Sequence, residues 1–411
     1  MPFLLITVGS HGDVHPFIGL AKVLRSRGHA VRIATNPTFA PLIQKNGIEF
    51  TPVGTAEQFN TWTDNPDVWH PRKGGLAVLR GTSETLQLTY NLARDFTLET
   101  GGTVVASTLS MGALCARETH RAKVVTVHLA PICIRSHYEL PRLPIPFDLN
   151  RMPMFMRKNF WRGADRFSID PAIAPSVNEL RKSLGLARVK SILGSWMNSP
   201  DLTLGLWPEW FSRAQPDWPQ NARLAGFPMY DEGDVTPLPI ELLAFLDANE
   251  APIAFTPGSA MKFANKFFQT AADACALLNR PGLLLTRHAD QIPKSLPPGV
   301  IHVPYAPFGK LLPRCAAIVH HGGIGTTSQA LKSACPQLIM PMAHDQPDNA
   351  HRVQQLGCGS FVWPRSFTPR RVASELSKIL SPETKQNANK VAAHFSNDTP
   401  LVRACELIEA V

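Results

Sequence analysis

The stretch VHHGGIGTTSQA (319–330) decides how this chain is read. The apolar run AAIV (316–319) leads into two adjacent histidines, three glycines within four positions, two threonines and a helical pattern. That order predicts a buried strand, a tight turn and the start of a helix. A helix start leaves backbone N–H groups without intrahelical partners, and its dipole favours negative charge. Glycines let the backbone come close to a ligand. The junction therefore reads as an anion site, with His321, Gly322, Gly323, Gly325, Thr326 and Thr327 as its candidate contacts. Taken alone, His320 and His321 also read as a pair of satisfied strand-end histidines; the glycines and threonines beside them favour the phosphate reading. No Lys follows the glycines as in a P-loop, and Ser328 stands where a dinucleotide fingerprint needs its third glycine.

Outward from this junction, IAFTPG (253–258), GLLLT (282–286), VIHVP (300–304), AAIVHH (316–321) and QLIMP (337–341) read as strands separated by helical stretches. Towards the N-terminus, FLLITV (3–8), AVRIAT (30–35), IEFTPV (48–53), VVAST (104–108) and AKVVTVHLA (122–130) repeat the alternation. Strands alternating with helices mean βαβ units and parallel sheets. The expected fold class is α/β, with two Rossmann-like, doubly wound parallel-sheet domains facing a cleft. The expected boundaries are 1–228 and 229–411. The polar connector lies near 228–238, and the final helix, PLVRACELIEAV, is expected to pack back onto the first domain. Segment 136–222, rich in Pro, Arg, Trp and Met, is less periodic.

A chain of 411 residues is too long for one ordinary core. Hydrophobic residues make up 44% and charged residues 18%, which fits a globular protein without spanning helices. FLLITV lacks a basic flank and the length of a signal peptide, so it is read as the first strand. Seven cysteines without zinc-ligand spacing fit reduced thiols in a cytoplasmic protein. The net charge of +9 comes without a Lys/Arg block or a recognition motif, which argues against nucleic acid as a partner. Peripheral contact with the anionic inner membrane surface is the more specific reading of that charge.

Two further stretches carry candidate chemistry. In PMAHDQPDN (341–349), Asp345 and Gln346 stand at a strand end, able to bond ligand hydroxyls. The alternative is an N-cap for a helix over 346–356. GSHGDVHP (9–16) lies between the first strand and a helix; Asp13 reads either as a helix cap or as a base, with His11 and His15 behind it.

The run from Tyr305 to Asn349, combining HHGGIGTT, CPQLIMP and HDQPDN, resembles the donor-binding signature of family 1 glycosyltransferases. VGSHGDVHPFIGLAKVLRSRGH (8–29) is similar to the opening of that family. Through WMNSP (196–200), LWPEWF (206–211), QPDWPQ (215–220) and LAGFP (224–228), the nearest resemblance is to the rhamnosyltransferases of rhamnolipid synthesis. The resemblance implies a two-domain GT-B fold and an inverting, metal-independent hexosyltransferase with no cofactor. Its co-substrate would be a dTDP- or UDP-sugar. It implies diphosphate contacts at His321, Gly325 and Thr326, with Thr327 as a second contact, and a further one at Ser259. It puts Tyr305 and the Ala306 backbone at the base, Asp345 and Gln346 at the sugar, and Asp13 as the base that deprotonates the acceptor. Best matched by it are dTDP-L-rhamnose as donor and a 3-hydroxyacyl lipid as acceptor. UDP-glucose transfer to a lipid or small aglycone is the alternative, and a non-catalytic sugar-nucleotide-binding protein is the alternative of another class. Phe308 and Gln329 depart from the ribose contacts of plant members, which points weakly to a deoxyribose. MPMFMRKNFWRGADRF (152–167) mixes Met, Phe and Trp with Arg157, Lys158, Arg162 and Arg166. It reads as an amphipathic helix, either a packing element or an interfacial segment.

Overall fold

The computed structural model describes residues 1–145, 147–233 and 236–411. The chain divides into two compact units. The first is Met1–Met229 with Thr399–Val411, and the second is Tyr230–Asp398. Asp234 and Val235, within the expected connector, lie outside the described residues.

The first unit holds seven parallel strands: β1 (Pro2–Ile6), β2 (Ala30–Thr35), β3 (Glu49–Pro52), β4 (Thr103–Ser107), β5 (Lys123–His128), β6 (Leu202–Gly205) and β7 (Ala222–Leu224). Their order is β3-β2-β1-β4-β5-β6-β7. The second unit holds six: β8 (Ile253–Thr256), β9 (Gly282–Leu285), β10 (Val300–Val303), β11 (Ala317–His320), β12 (Gln337–Ile339) and β13 (Gly359–Phe361). These run in the order β10-β9-β8-β11-β12-β13. Strands covered on both faces need apolar side chains on both, which is why FLLI, TVVA and AIV are unbroken apolar runs rather than alternating ones. β4, β8, β9 and β11 are buried along their whole length. Both sheets thus have the strand order of the doubly wound Rossmann architecture. In such sheets ligands bind beyond the carboxyl ends of the strands where the order reverses. Those points are β1/β4 in the first unit and β8/β11 in the second, where Ile6 pairs with Ala106 and Thr256 with His320.

The short strands β6, β7 and β13 fall outside the sequence reading. β6 is buried at all four positions but lies inside the irregular 136–222 segment with a threonine breaking its apolar run, and β7 and β13 are three residues each without a buried position. A second difference concerns GSHGDVHP. The helix begins at His11, not beyond Pro16, and takes Pro16 inside it. Ser10 caps it, which lets the chain turn into a helix directly after β1.

The last helix, Pro400–Glu409, belongs to the first unit. It buries Ala404, Cys405 and Ile408. Glu409 accepts from Arg27 at 2.7 and 2.8 Å and pairs with His29 at 2.7 Å. The Cys405 thiol donates to the Leu20 carbonyl at 3.6 Å. None of the seven cysteines forms a disulfide, and six are buried. Among the described residues, no helix is long and apolar enough to cross a membrane.

Candidate active site

The second unit places Ser259, His321 and Gly323 at the β8/β11 switch point. The helix Ile324–Lys332 starts from Gly323, and no side chain caps that end. Thr327 N–H closes the first turn on the Gly323 carbonyl at 3.0 Å. The preceding backbone N–H groups, on Ile324, Gly325 and Thr326, have no carbonyl one turn back.

The two histidines have different roles. His320 is wholly buried. Gly322 N–H donates to its Nδ1 at 3.1 Å, so the ring proton is on Nε2, which donates to Gln337 Oε1 at 2.9 Å. Burial pushes its pKa down to about 3, keeping it neutral. His320 is thus the satisfied strand-end histidine. His321 is not satisfied: its Nδ1 is buried without a hydrogen-bond partner. Burial first, and then His344, lower its pKa to about 4.

The His321 ring lies between two glycine Cα atoms. A Cβ on Gly258 would stand 2.9–3.1 Å from three ring atoms, and one on Gly323 would stand 2.5 Å from Nε2. Gly258 also has φ +102, outside the comfortable range of other residues. The glycines therefore do more than admit a ligand; they hold a histidine at a helix N-terminus.

Two expected contacts are corrected. Thr327 is fully buried, with its hydroxyl unpartnered and its carbonyl accepting from Gln337 at 3.4 Å. One turn of helix separates it from the open end, so it faces the core. The Gly322 N–H is committed to His320, and a Cβ there would meet Ile339 Cγ2 at 2.8 Å, so Gly322 is a packing glycine. His321, Gly323, Gly325 and Thr326 stay at the accessible end.

Asp345 occupies the N-cap position of the helix Gln346–Gln355 but makes no capping bond. Its Oδ2 instead accepts from Asn349 Nδ2 at 2.7 Å, and that nitrogen also donates to the Gly322 carbonyl at 2.9 Å. Asn349 thereby ties the Asp345 carboxylate to the glycine turn, while its own Oδ1 is buried and unpartnered. Gln346 Oε1 accepts from Met342 N–H and Ala343 N–H at 2.8 and 3.1 Å, shaping the loop that ends in Asp345. Buried polar groups normally find partners. Three orphaned atoms around one turn, on His321, Thr327 and Asn349, set this turn apart.

Tyr305 donates its hydroxyl to the Asp231 carbonyl at 3.1 Å. The Arg287 guanidinium lies 4.8 Å from its ring centroid, so one face is already covered. Ala306 is buried, and Ser259 lies exposed in the turn after β8.

In the first unit, Asp13 is the third residue of its helix and completes a capping box. Its Oδ2 accepts from Ser10 N–H at 2.7 Å and from the Ser10 hydroxyl at 3.2 Å. The cap itself is Ser10, so the capping alternative holds in this modified form. The carboxylate packs against Gly9, where φ is +141 and a Cβ would stand 2.2 Å from Oδ2. This enclosure raises the pKa to about 6, the bonds from Ser10 only partly offsetting it. His11 and His15 make an edge-on pair with centroids 5.7 Å apart, and His11 also meets Phe39 at 4.9 Å.

Sequence reasoning passed over Gly258 and Asn349, and also His128 at the end of β5. His128 Nε2 meets Asn198 Oδ1 at 2.9 Å, and Nδ1 meets the Thr108 hydroxyl at 2.9 Å. Burial lowers its pKa to about 4. Its only sequence signal was a polar residue closing an apolar strand. A shallow hollow of about 560 Å³ lined by residues including Asp273, Leu277 and Arg370 shares no residue with these sites.

Residues 3–124 match the glycosyltransferase family 28 N-terminal domain, and residues 283–409 match the erythromycin biosynthesis protein CIII-like C-terminal domain. With its two parallel Rossmann-like sheets, the chain is a glycosyltransferase of the GT-B type. The O-mycaminosyltylonolide 6-deoxyallosyltransferase of Streptomyces fradiae is 29% identical over 444 residues, spanning 100% of this chain and 97% of that one. Two solved structures share the fold. The kitacinnamycin glycotransferase has a TM-score of 0.76 at 20% identity, over 100% of this chain and 98% of that one. The glycosyltransferase VinC in complex with dTDP has a TM-score of 0.70 at 20% identity, over 100% of both chains.

Proposed function

We propose that the chain transfers a 6-deoxyhexose, first of all L-rhamnose from dTDP-L-rhamnose, to the hydroxyl of a hydrophobic acceptor such as a 3-hydroxyacyl lipid. The observation that carries the nucleotide-sugar reading is the His321 turn. An imidazole wedged between Gly258 and Gly323, at an uncapped helix start, suits a diphosphate. The deoxysugar preference draws support from the 6-deoxyallosyltransferase relative and from the dTDP held by VinC. The lipid acceptor rests on the sequence resemblance.

In this reading the acceptor O–H gives its proton to Asp13. The acceptor oxygen forms a bond to the anomeric carbon as the bond from that carbon to the diphosphate oxygen breaks, inverting the centre. The electron pair leaves with the nucleoside diphosphate. A base with a pKa near 6 is ionised at neutral pH yet basic enough to take a proton in the transition state. The charge on the leaving group is met by the helix dipole, by the N–H groups of Gly325 and Thr326, and by His321. Asp345, held by Asn349, bonds the sugar hydroxyls, Gln346 adds its Nε2 amide since Oε1 is taken by Met342 and Ala343, and Ser259 adds a phosphate-side hydroxyl. No step calls for a metal.

The test is a donor panel of dTDP-L-rhamnose, other dTDP-6-deoxyhexoses and UDP-glucose, following nucleoside diphosphate release with and without a 3-hydroxyacyl acceptor. Turnover with UDP-glucose alone refutes the deoxyhexose assignment. Tight nucleotide binding without turnover of any donor refutes the enzymatic reading.

A further inference from the structure

The segment Tyr138–Phe167 of the first unit carries exposed apolar side chains and holds none of the candidate site residues named above. Its inner side has a small core of Leu140, Leu149 and Trp161. Trp161 Nε1 donates to the Ser136 carbonyl at 3.0 Å, and the Arg135 guanidinium lies 4.5 Å from the indole. Arg135 also pairs with Asp165 at 2.5 Å. These contacts fix the helix Met154–Ala164 by one face, leaving the other outward.

The outward side is unusual. Among the described residues, thirteen large apolar side chains are exposed, and six of them lie in this short segment: Tyr138, Phe147, Met154, Phe155, Met156 and Phe167. Phe155 is 65% exposed and Phe167 76%. Exposed apolar side chains gathered in one short segment mark a candidate interaction site. Phe155, Lys158, Arg162 and Arg166 recur every three or four residues, so they share one face of the helix and the turn after it, and all are exposed. Between Arg151 and Ser168 the only carboxylate is Asp165, which is taken up by Arg135 and by the Ser191 hydroxyl at 2.6 Å. The face therefore joins protruding Phe and Met side chains to charge of one sign.

We propose that this face docks on an anionic lipid bilayer. Met154, Phe155 and Met156 enter the boundary between headgroups and acyl chains, and Lys158, Arg162 and Arg166 meet the lipid phosphates. The charge pattern selects this occupant. Protein–protein interfaces balance their charges across a rim and are depleted of Lys, whereas interfacial membrane helices combine aromatic and Met side chains with a Lys/Arg face, and here Lys158 stands with Arg162 and Arg166 and no carboxylate shares their face. The net charge of +9 acts in the same direction.

The test uses the full chain and sedimentation with two kinds of vesicle, pure phosphatidylcholine and phosphatidylcholine mixed with phosphatidylglycerol. Binding is expected on the mixed vesicles and should fall steeply at about 1 M salt, where the Debye length is only about 3 Å. Lys158→Gln with Arg162→Gln should weaken it about 25-fold, at about fivefold per basic residue. Phe155→Ser should weaken it about tenfold, its side chain no longer being buried in the boundary. Both are surface changes, and unchanged melting curves separate loss of docking from loss of folding. No binding, equal binding to neutral vesicles, or full binding by either variant overturns the proposal. So does wild-type self-association in sedimentation velocity that Phe155→Ser abolishes, since a second copy would then cover the face.

Discussion

Asp13→Asn separates a base from a cap because its two effects should have opposite signs. Asn at this third helical position keeps the size of Asp, and its side-chain oxygen can still accept from Ser10 N–H as in the capping box. What it loses is basicity and charge. The folded pKa of Asp13 is about 6 against an ordinary value of 3.8. The folded state thus holds the proton more tightly than the unfolded chain. Stability is fullest below the unfolded value and is lost as pH rises from there through about 6. At pH 8 the enclosed carboxylate costs the fold on the order of 1–3 kcal/mol, from about two pKa units at 1.36 kcal/mol each. A neutral amide removes that cost, so Asp13→Asn should unfold in urea with higher stability than wild type at pH 8 and with nearly equal stability near pH 4. Transfer, measured by single turnover, should fall roughly 10²–10⁴-fold, the usual contribution of a positioned base. The acid limb near pH 6 in the wild-type kcat/KM profile should vanish with it. Nucleotide affinity, held by the second unit, should not change. A variant that transfers sugar at the wild-type rate refutes the base assignment and moves it to His15 or His11. One that is destabilised at pH 8 refutes the account of the enclosed carboxylate.

His321→Ala should weaken dTDP binding roughly 10–100-fold by calorimetry, the worth of a hydrogen bond to a charged group; unchanged affinity removes the imidazole from the anion site. Gly258→Ala forces a Cβ against that ring at a φ of +102, so it should lower the melting temperature and weaken dTDP together, whereas an effect on neither contradicts the wedge. Buried neutral His128, with its pKa lowered to about 4, stabilises the fold fully above the unfolded value of 6.5 and loses that contribution as pH falls towards 4. Urea unfolding should therefore show about 2 kcal/mol less stability at pH 5 than at pH 7 from this residue, a share missing in His128→Gln. EDTA should leave transfer intact; inhibition reversed by magnesium would contradict a transition state stabilised by the helix start and His321 alone.

Taken by itself, the sequence determined the two parallel sheets and the place of the glycine turn between β11 and the helix after it. Strands buried on both faces must be apolar throughout, and a helix start rich in glycine is visible as composition. It did not determine β6, β7 and β13, because LTLG, ARL and GSF are too short and too mixed to show an apolar run, whereas GLLL of β9 shows one. Nor did it determine which member of each candidate pair faces a ligand. His320 and His321 are neighbours of one type, as are Thr326 and Thr327. Strand alternation and helix rotation turn one of each pair inward, where His320 finds Gln337 and Thr327 faces the core. Asp13 looked alike as a cap and as a base; the packing of Gly9 against its carboxylate gives it a pKa near 6, through contacts that the order of residues does not display. Asn349 was one polar residue among several until the fold brought it under Asp345 and the Gly322 carbonyl at once. Periodicity and composition act within a few residues along the chain, whereas partners, burial and proton affinity depend on what the folded chain brings alongside.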